Sequence, residues 1–248
     1  MLKRSLDIFF AFLGLLISAP ILLLAVIAIW LEDRASPFYI APRVGQDGRL
    51  FSMVKLRSMI IDADRFKIGS TSSNDPRLTI VGTYIRKYKI DELAQLWNVL
   101  IGDMSLVGPR PNVKREVDLY TSLEQNLLSI KPGITDIASI VFSDLNDLLQ
   151  DSKDPNLDYN QLIRPWKSRL GLLYVENRSF ILDIKLIYLT VVALISRRNA
   201  LNGIQKILCE FETDEIVKEI ADRRARLIPF PPPGSDEIVK SRELPQTA

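Results

Sequence analysis

From Ile8 to Leu31 the chain carries no charged residue. That run exceeds the roughly 20 apolar residues a helix needs to cross a bilayer. It is also too long for the core of a signal peptide. Lys3 and Arg4 precede it, and Glu32, Asp33 and Arg34 follow. Pro20 sits near its middle. A proline inside a helix removes one backbone donor and clashes with the preceding turn, so a kink or break is expected there. The hydroxyl of Ser18 can bond a carbonyl of the preceding turn. Lys3 and Arg4 hold the N-terminus on the cytoplasmic side, and a true span would then export everything after residue 31. A helix that kinks at Ser18 and Pro20 and turns back keeps both ends at one interface. The run by itself leaves a single span and a re-entrant helix of residues 1–34 both open, and either has membrane lipids as partners.

The remaining composition excludes several chemistries. There is no histidine among the 248 residues, and Cys209 is the single cysteine. Ser-His-Asp catalysis, Cys-His catalysis, His-ligated zinc and an internal disulfide are thus ruled out. Any bound metal would be a hard ion held by oxygen, such as Mg²⁺. A net charge of +2 points to no nucleic acid partner. Neither a P-loop nor a dinucleotide fingerprint occurs.

Short alternating runs at Phe38–Arg43 and Leu50–Lys55 flank Gly45-Gln46-Asp47-Gly48 and predict a hairpin. Gly69 to Arg77 reads as a polar loop. Leu93, Leu96, Trp97, Leu100 and Ile101 recur at helical spacing, which predicts the core stripe of an amphipathic helix beginning near Asp91 and stopping at Gly102. Gly108-Pro109-Arg110-Pro111 is a stiff loop. Val113 to Leu128 predicts another helix, ended by Lys131-Pro132-Gly133. Residues 143–160 are acidic and loop-like. Ser179 to Ser196 predicts a helix whose Leu186–Ile195 stretch is apolar nearly all round, too short to span and suited to an interface, with Arg197 and Arg198 at lipid phosphates. Asp214 to Arg226 predicts a charged helix, and Pro231-Pro232-Pro233-Gly234 opens a mobile tail.

Four groups of side chains could carry chemistry. Asp91 and Glu92 stand where a helix begins. Such a pair can simply cap the helix, or supply a nucleophile toward phosphorus, or hold Mg²⁺. Lys55 and Arg57 alternate with apolar neighbours and, on a strand, would present two cations on one face. Such a face is either solvated or suited to a diphosphate. Arg110 lies between two prolines that reduce the entropy it loses on gripping a phosphate. Tyr174, Asn177, Ser179 and Asp183 form a polar string before an apolar helix.

Taken together, these strings resemble one family. Pro37-Phe38, Arg43-Val44-Gly45, Asp47-Gly48, Phe51 and Lys55-Leu56-Arg57-Ser58-Met59 are similar to its opening block. Asp91 through Leu100 and Gly102 through Pro111 resemble its central block, Lys131 through Thr135 a third, and Tyr174-x-x-Asn177-x-Ser179-x-x-x-Asp183 a fourth. The family is the monotopic phosphoglycosyl transferases, also called bacterial sugar transferases. Ala94 stands where that family often has proline. The resemblance implies that Asp91 attacks the β-phosphate of a UDP-sugar, releasing UMP and leaving a phosphosugar-aspartyl intermediate. Polyprenyl (undecaprenyl) phosphate then takes the phosphosugar. Glu92 would sit beside Asp91, both carboxylates near Mg²⁺, with Lys55, Arg57, Arg110 and Asp183 contacting substrate. It also implies the cytoplasmic face of a bacterial inner membrane, and it allows a homodimer. The expected fold is a compact α/β, mainly helical catalytic domain over residues 35–200 with a small β-hairpin. To this are added the re-entrant membrane helix of residues 1–34, interfacial amphipathic helices, and a charged helix with a Pro-rich tail over 201–248. A membrane-anchored scaffold without catalysis, and an enzyme that displaces UMP directly with no covalent intermediate, are the rival readings.

Overall fold

The computed structural model describes residues 2–63 and 75–240. It opens with α1, Leu2–Asp33, a helix that runs through Pro20 without breaking. Ser18 Oγ donates to the Gly14 carbonyl at 2.7 Å, while the proline frees the carbonyl four residues before it. One stripe of α1 is covered, namely Asp7, Ala11, Ser18, Ala25 and Ile29. The rest of its apolar surface, including Phe9, Phe12, Ile17, Leu24 and Leu31, is exposed. Small residues in the stripe let the helix lie close against the domain.

Both ends of α1 are tied to that domain by polar contacts. Near the start, Lys3 Nζ donates to Asp183 at 2.6 Å and Arg4 to the carbonyls of Val99 and Leu100 at 2.5 and 2.7 Å. Asp7 Oδ1 accepts from the Leu106 N–H at 3.0 Å. At the far end Arg57 grips both oxygens of Asp33 at 2.6 Å, and Glu32 accepts from the Ile80 N–H at 2.9 Å. A helix of 32 residues held at both ends along one body does not project from it.

The hairpin forms as expected, each strand one residue longer: β1, Phe38–Val44, pairs antiparallel with β2, Leu50–Leu56. Asp47 and Gly48 take positive φ in its turn, 55° and 76°. The polar loop expected at Gly69–Arg77 lies outside the described residues up to 74; Arg77, at its end, pairs with Asp75 at 2.6 Å. Next come α2, Ile80–Lys87, α3, Ile90–Leu93, and α4, Leu96–Ile101. The amphipathic helix is thus two short pieces; Leu93, Leu96 and Leu100 of its stripe pack in the core, but the rest of the stripe does not. Trp97 and Ile101 are each 53% exposed, whereas Gln95, Asn98 and Val99 are buried completely. The reason is Asn98. Its amide donates to the Ser52 carbonyl at 2.8 Å and accepts from the Val54 N–H at 2.9 Å. It thereby pairs the free edge of β2 and turns the helix face by one residue. Gly102 ends α4 at φ 100° as predicted.

A second small sheet is parallel, β3, Ser105–Val107, with β4, Gly133–Thr135. Between them the predicted helix at 113–128 reduces to α5, Lys114–Val117, and a 3₁₀ stretch, Glu124–Ser129. Thr121 and Glu124 explain the break. The Thr121 N–H donates to Glu124 at 3.0 Å and the Glu124 N–H to Thr121 Oγ1 at 3.1 Å. This reciprocal cap starts a new turn at Thr121. The acidic stretch holds α7, Leu145–Leu148, and α8, Pro155–Asp158, rather than loop alone. It follows α6, Ile137–Val141, and leads through a π turn into α9, Arg164–Asn177.

Helix α10, Phe180–Ile195, is capped by Ser179 as expected, and α11, Arg197–Glu210, and α12, Glu215–Asp222, complete the chain's helices among the described residues. Ile137, Trp166, Leu170, Leu186, Ile204 and Leu208 meet in one core with Val217 and Ile220, so α11 and α12 are part of it. Arg197 pairs with Asp144 at 3.0 Å and Arg198 with Asp222 at 2.8 Å, which commits both arginines to carboxylates rather than lipid phosphates. The Pro-rich tail is docked. Phe230 stacks on Trp166, with ring centroids 4.4 Å apart, and Arg169 donates to the Pro231 carbonyl.

Arg164 of α9 is buried against Glu124 at 2.5 Å, and Ser168 donates to the same carboxylate. Glu124→Ala leaves a buried guanidinium without its counter-charge and should cost about 3–5 kcal/mol, read as a lowered thermal unfolding midpoint. Glu124→Gln, which keeps acceptors for Arg164 and Ser168, should cost less.

Candidate active site

Two turns place the acidic pair. Lys89 adopts the left-handed conformation, φ 54°, which folds α3 sharply back from α2. Asp91 and Glu92 then fall at the second and third positions of α3. Opposite them stands the Gly108–Pro111 loop, pinned against β4. A Cβ on Gly133 would lie 2.1 Å from the Gly108 nitrogen, so only glycine permits this crossing. The Gly108 N–H donates to the Thr135 carbonyl at 3.0 Å and the Gly133 N–H to the Pro109 carbonyl at 3.0 Å. Arg110 leaves this crossing with one nitrogen on the Ile134 carbonyl at 3.2 Å. Both its terminal nitrogens reach Glu92.

The two carboxylates therefore differ. Glu92 is gripped from two directions. Burial would push its acid strength down, but Arg110, Lys55 and Lys89 outweigh that and hold its pKa at about 2. Asp91 is 8% exposed and accepts no hydrogen bond among the described residues. Its nearest cation is Lys55 at 4.0 Å. Burial raises its pKa above the usual carboxylate range, against the pull of Lys55, Arg86 and Arg110. Adjacent carboxylates pushed apart in this way take different roles. Glu92 is a fixed charge, and Asp91 has free oxygens that can attack or ligate. Lys55 is half-buried, and desolvation together with Arg110 lowers its pKa to about 8.

Lys55, Glu92, Asp91 and Arg110 converge. Arg57 and Asp183 are held elsewhere: Arg57 binds Asp33, and Asp183 accepts from Lys3 and from Tyr174 Oη at 2.6 Å each. Both fasten α1. The sequence reading missed Arg86, which faces Asp91 from α2. It also missed Gln95, four residues beyond Asp91, whose fully buried amide has no partner for either atom. The helical spacing from Asp91 to Gln95 was the available signal for the latter. For Mg²⁺, no group of three acidic, cysteine or histidine side chains gathers among the described residues. That ion commonly takes one or two carboxylates and draws its remaining ligands from substrate phosphate and water. The open oxygens of Asp91 beside Glu92 fit that pattern.

The bacterial sugar transferase family profile matches residues 1–197. The chain belongs to that family. It is 38% identical over 200 residues to a galactosyl transferase, CpsE, of Streptococcus agalactiae serotype III, covering 76% of this chain and 41% of that protein. It is 38% identical over 205 residues to an undecaprenyl-phosphate glucose phosphotransferase of Komagataeibacter xylinus, covering 80% and 36%. The chain thus spans about two fifths of the length of these two curated relatives. A third, the exopolysaccharide production protein ExoY of Sinorhizobium fredii, is 32% identical over 215 residues, 80% of this chain and 87% of that one.

A half-buried lysine with a pKa of about 8 is charged at pH 7 and loses its charge as pH rises through that value. A reaction at this site that needs the Lys55 charge should therefore decline on the alkaline side of about pH 8. Lys55→Arg, whose guanidinium stays charged, should retain at pH 9 a larger share of its pH 7 rate than the unaltered protein does. Equal shares would show that Lys55 does not titrate in the site.

Proposed function

We propose that the chain transfers a sugar 1-phosphate from a UDP-sugar to undecaprenyl phosphate, forming the lipid diphosphate sugar and UMP, at the start of surface polysaccharide synthesis. The observation that supports it is Asp91, a buried carboxylate with free oxygens among Lys55, Arg86 and Arg110. A scaffold has no use for such a costly arrangement.

Asp91 attacks the β-phosphorus, and the phosphorus bond to the bridging oxygen breaks, with its electron pair leaving on the α-phosphate of UMP. The covalent phosphosugar is then taken by the lipid phosphate, which restores the carboxylate. Lys55, Arg86 and Arg110 balance charge on the transferring phosphoryl oxygens. Glu92 holds Arg110 at its post. Mg²⁺, with Asp91 and Glu92 as its protein donors, would supply further neutralisation of the diphosphate.

The same reading sets α1 within the cytoplasmic leaflet of the inner membrane, where both its ends and the catalytic domain meet a cytoplasmic donor. The exposed apolar side chains of α1, α4 and α10 support it. Such a broad apolar surface needs a cover.

Asp91→Asn should abolish turnover and leave thermal unfolding nearly unchanged. The unaltered protein incubated with UDP-glucose, UDP-galactose and UDP-N-acetylgalactosamine in turn should gain one phosphosugar in intact mass, mapped to Asp91. An adduct elsewhere, or turnover by Asp91→Asn, contradicts the assignment. EDTA should stop the reaction and added Mg²⁺ restore it.

For topology, Cys209 is replaced by serine and single cysteines are placed at Ser5 and Ser36. A membrane-impermeant thiol reagent should label neither in intact cells and both after lysis. Labelling of Ser36→Cys alone from outside would mean that α1 spans the bilayer.

A further inference from the structure

Beside Arg110 lies a cleft that opens to solvent. Arg110 and Pro111 form one wall, Lys167 of α9 another, and Tyr120, Tyr159 and Asp136 close it. No motif of the sequence reading touched Lys167. The groups are electrostatically continuous with the acidic pair. Arg110 feels Asp91, Glu92 and Asp136, while Lys167 feels Arg110, Asp136 and Glu92.

The charges in the cleft do not cancel. Arg110 is engaged by Glu92. Lys167 forms no ion pair among the described residues, and its ammonium sits 5.8 Å from the Tyr159 ring. Asp136 is the nearest candidate counter-charge, but it is already occupied in capping α6, where it accepts from the Ser139 N–H at 2.7 Å. Burial also raises its pKa, favouring the neutral acid. The cleft therefore holds an ammonium in want of an anion.

Phosphoryl transfer aligns the attacking and leaving oxygens through phosphorus. With Asp91 attacking, the leaving group departs on the far side of the transferring phosphoryl group, where negative charge grows on its phosphate. Lys55, Arg86 and Arg110 are the cations that act on Asp91, whereas Lys167 acts with Arg110, Asp136 and Glu92.

We infer that Lys167 is the binding residue for the departing nucleoside monophosphate, and that the cleft between the Arg110–Pro111 loop and α9 receives this half of the donor. The inference rests on the UDP-sugar reading. In the step, one donor diphosphate with two negative charges and one carboxylate become a singly charged aspartyl phosphosugar and doubly charged UMP. The added charge on UMP is what the Lys167 ammonium meets. The Tyr159 hydroxyl, which makes no protein hydrogen bond among the described residues, is a free donor in the same cleft.

The test titrates UMP by calorimetry into the full chain in lipid nanodiscs, and compares the unaltered protein with Lys167→Met and Lys167→Arg. Loss of one charge-assisted hydrogen bond to phosphate should weaken UMP binding about tenfold in Lys167→Met, with much of it restored in Lys167→Arg. A second readout uses the adduct formed without lipid. UMP should reverse it to UDP-sugar, and Lys167→Met should raise the UMP needed by about the same factor. Discharge by undecaprenyl phosphate should be impaired less. If UMP binds Lys167→Met as it binds the unaltered protein, or if reversal and discharge fall equally, the inference is overturned. If the unaltered protein binds UMP in the Lys167-dependent manner but forms no adduct, it is the covalent reading that fails. Should Lys167→Met not fold, judged by its unfolding midpoint, Lys167→Gln takes its place under the same criteria.

Discussion

Arg110 and Glu92 form the ion pair around which the site is arranged. A paired carboxylate beside an unpaired one gives two adjacent acids different chemistry without any histidine. The pair exists because Gly108 and Gly133 pass backbone against backbone, which no side chain would allow. That crossing, with prolines on either side of Arg110, leaves the guanidinium little freedom. The entropy of placing it is spent in folding rather than in binding substrate. The partly buried setting also strengthens the charge interactions at the site relative to open water.

The long apolar helix is subject to a different constraint. Its hydrophobic faces do not specify how it sits, because a membrane accepts any of them equally. Its few polar residues do. Lys3, Arg4 and Asp7 at one end and Glu32 and Asp33 at the other each find a partner on the catalytic domain. The covered stripe between them is narrow, and Leu6 and Phe10 of α1 adjoin Phe180, Ile184 and Ile187 of α10 along a shallow groove. The exposed apolar surface of α1 thus continues onto α10. Active site and membrane face are parts of one rigid body, since Arg57, on the chain just beyond Lys55, holds the end of α1.

Errors in the sequence reading trace to particular polar residues. Of the stripe from Leu93 to Ile101, Leu93, Leu96 and Leu100 pack in the core while Trp97 and Ile101 face outward, because Asn98 turns inward to a strand edge. The helix expected across 113–128 was broken by a reciprocal cap, Thr121 with Glu124, a Thr-x-x-Glu pattern that the apolar periodicity of the segment masked. Arg57 and Asp183 carry charges that suit substrate, and each also holds an end of α1, Arg57 through Asp33 and Asp183 through Lys3.

Local chemistry set what the sequence alone determined. Length and polarity marked α1, glycine and alternation marked the hairpin, Ser179 marked the start of α10, and the resemblance of the local motifs to the family singled out Asp91, Glu92, Lys55 and Arg110. These depend on neighbours within a few residues, which a sequence displays directly. Tertiary structure alone decided which of two adjacent carboxylates is left unpaired, which cations meet it, and that Lys167 of α9 lines a cleft with Arg110. Coulomb interactions and burial depend on distance in space, and the chain brings these groups together only by folding.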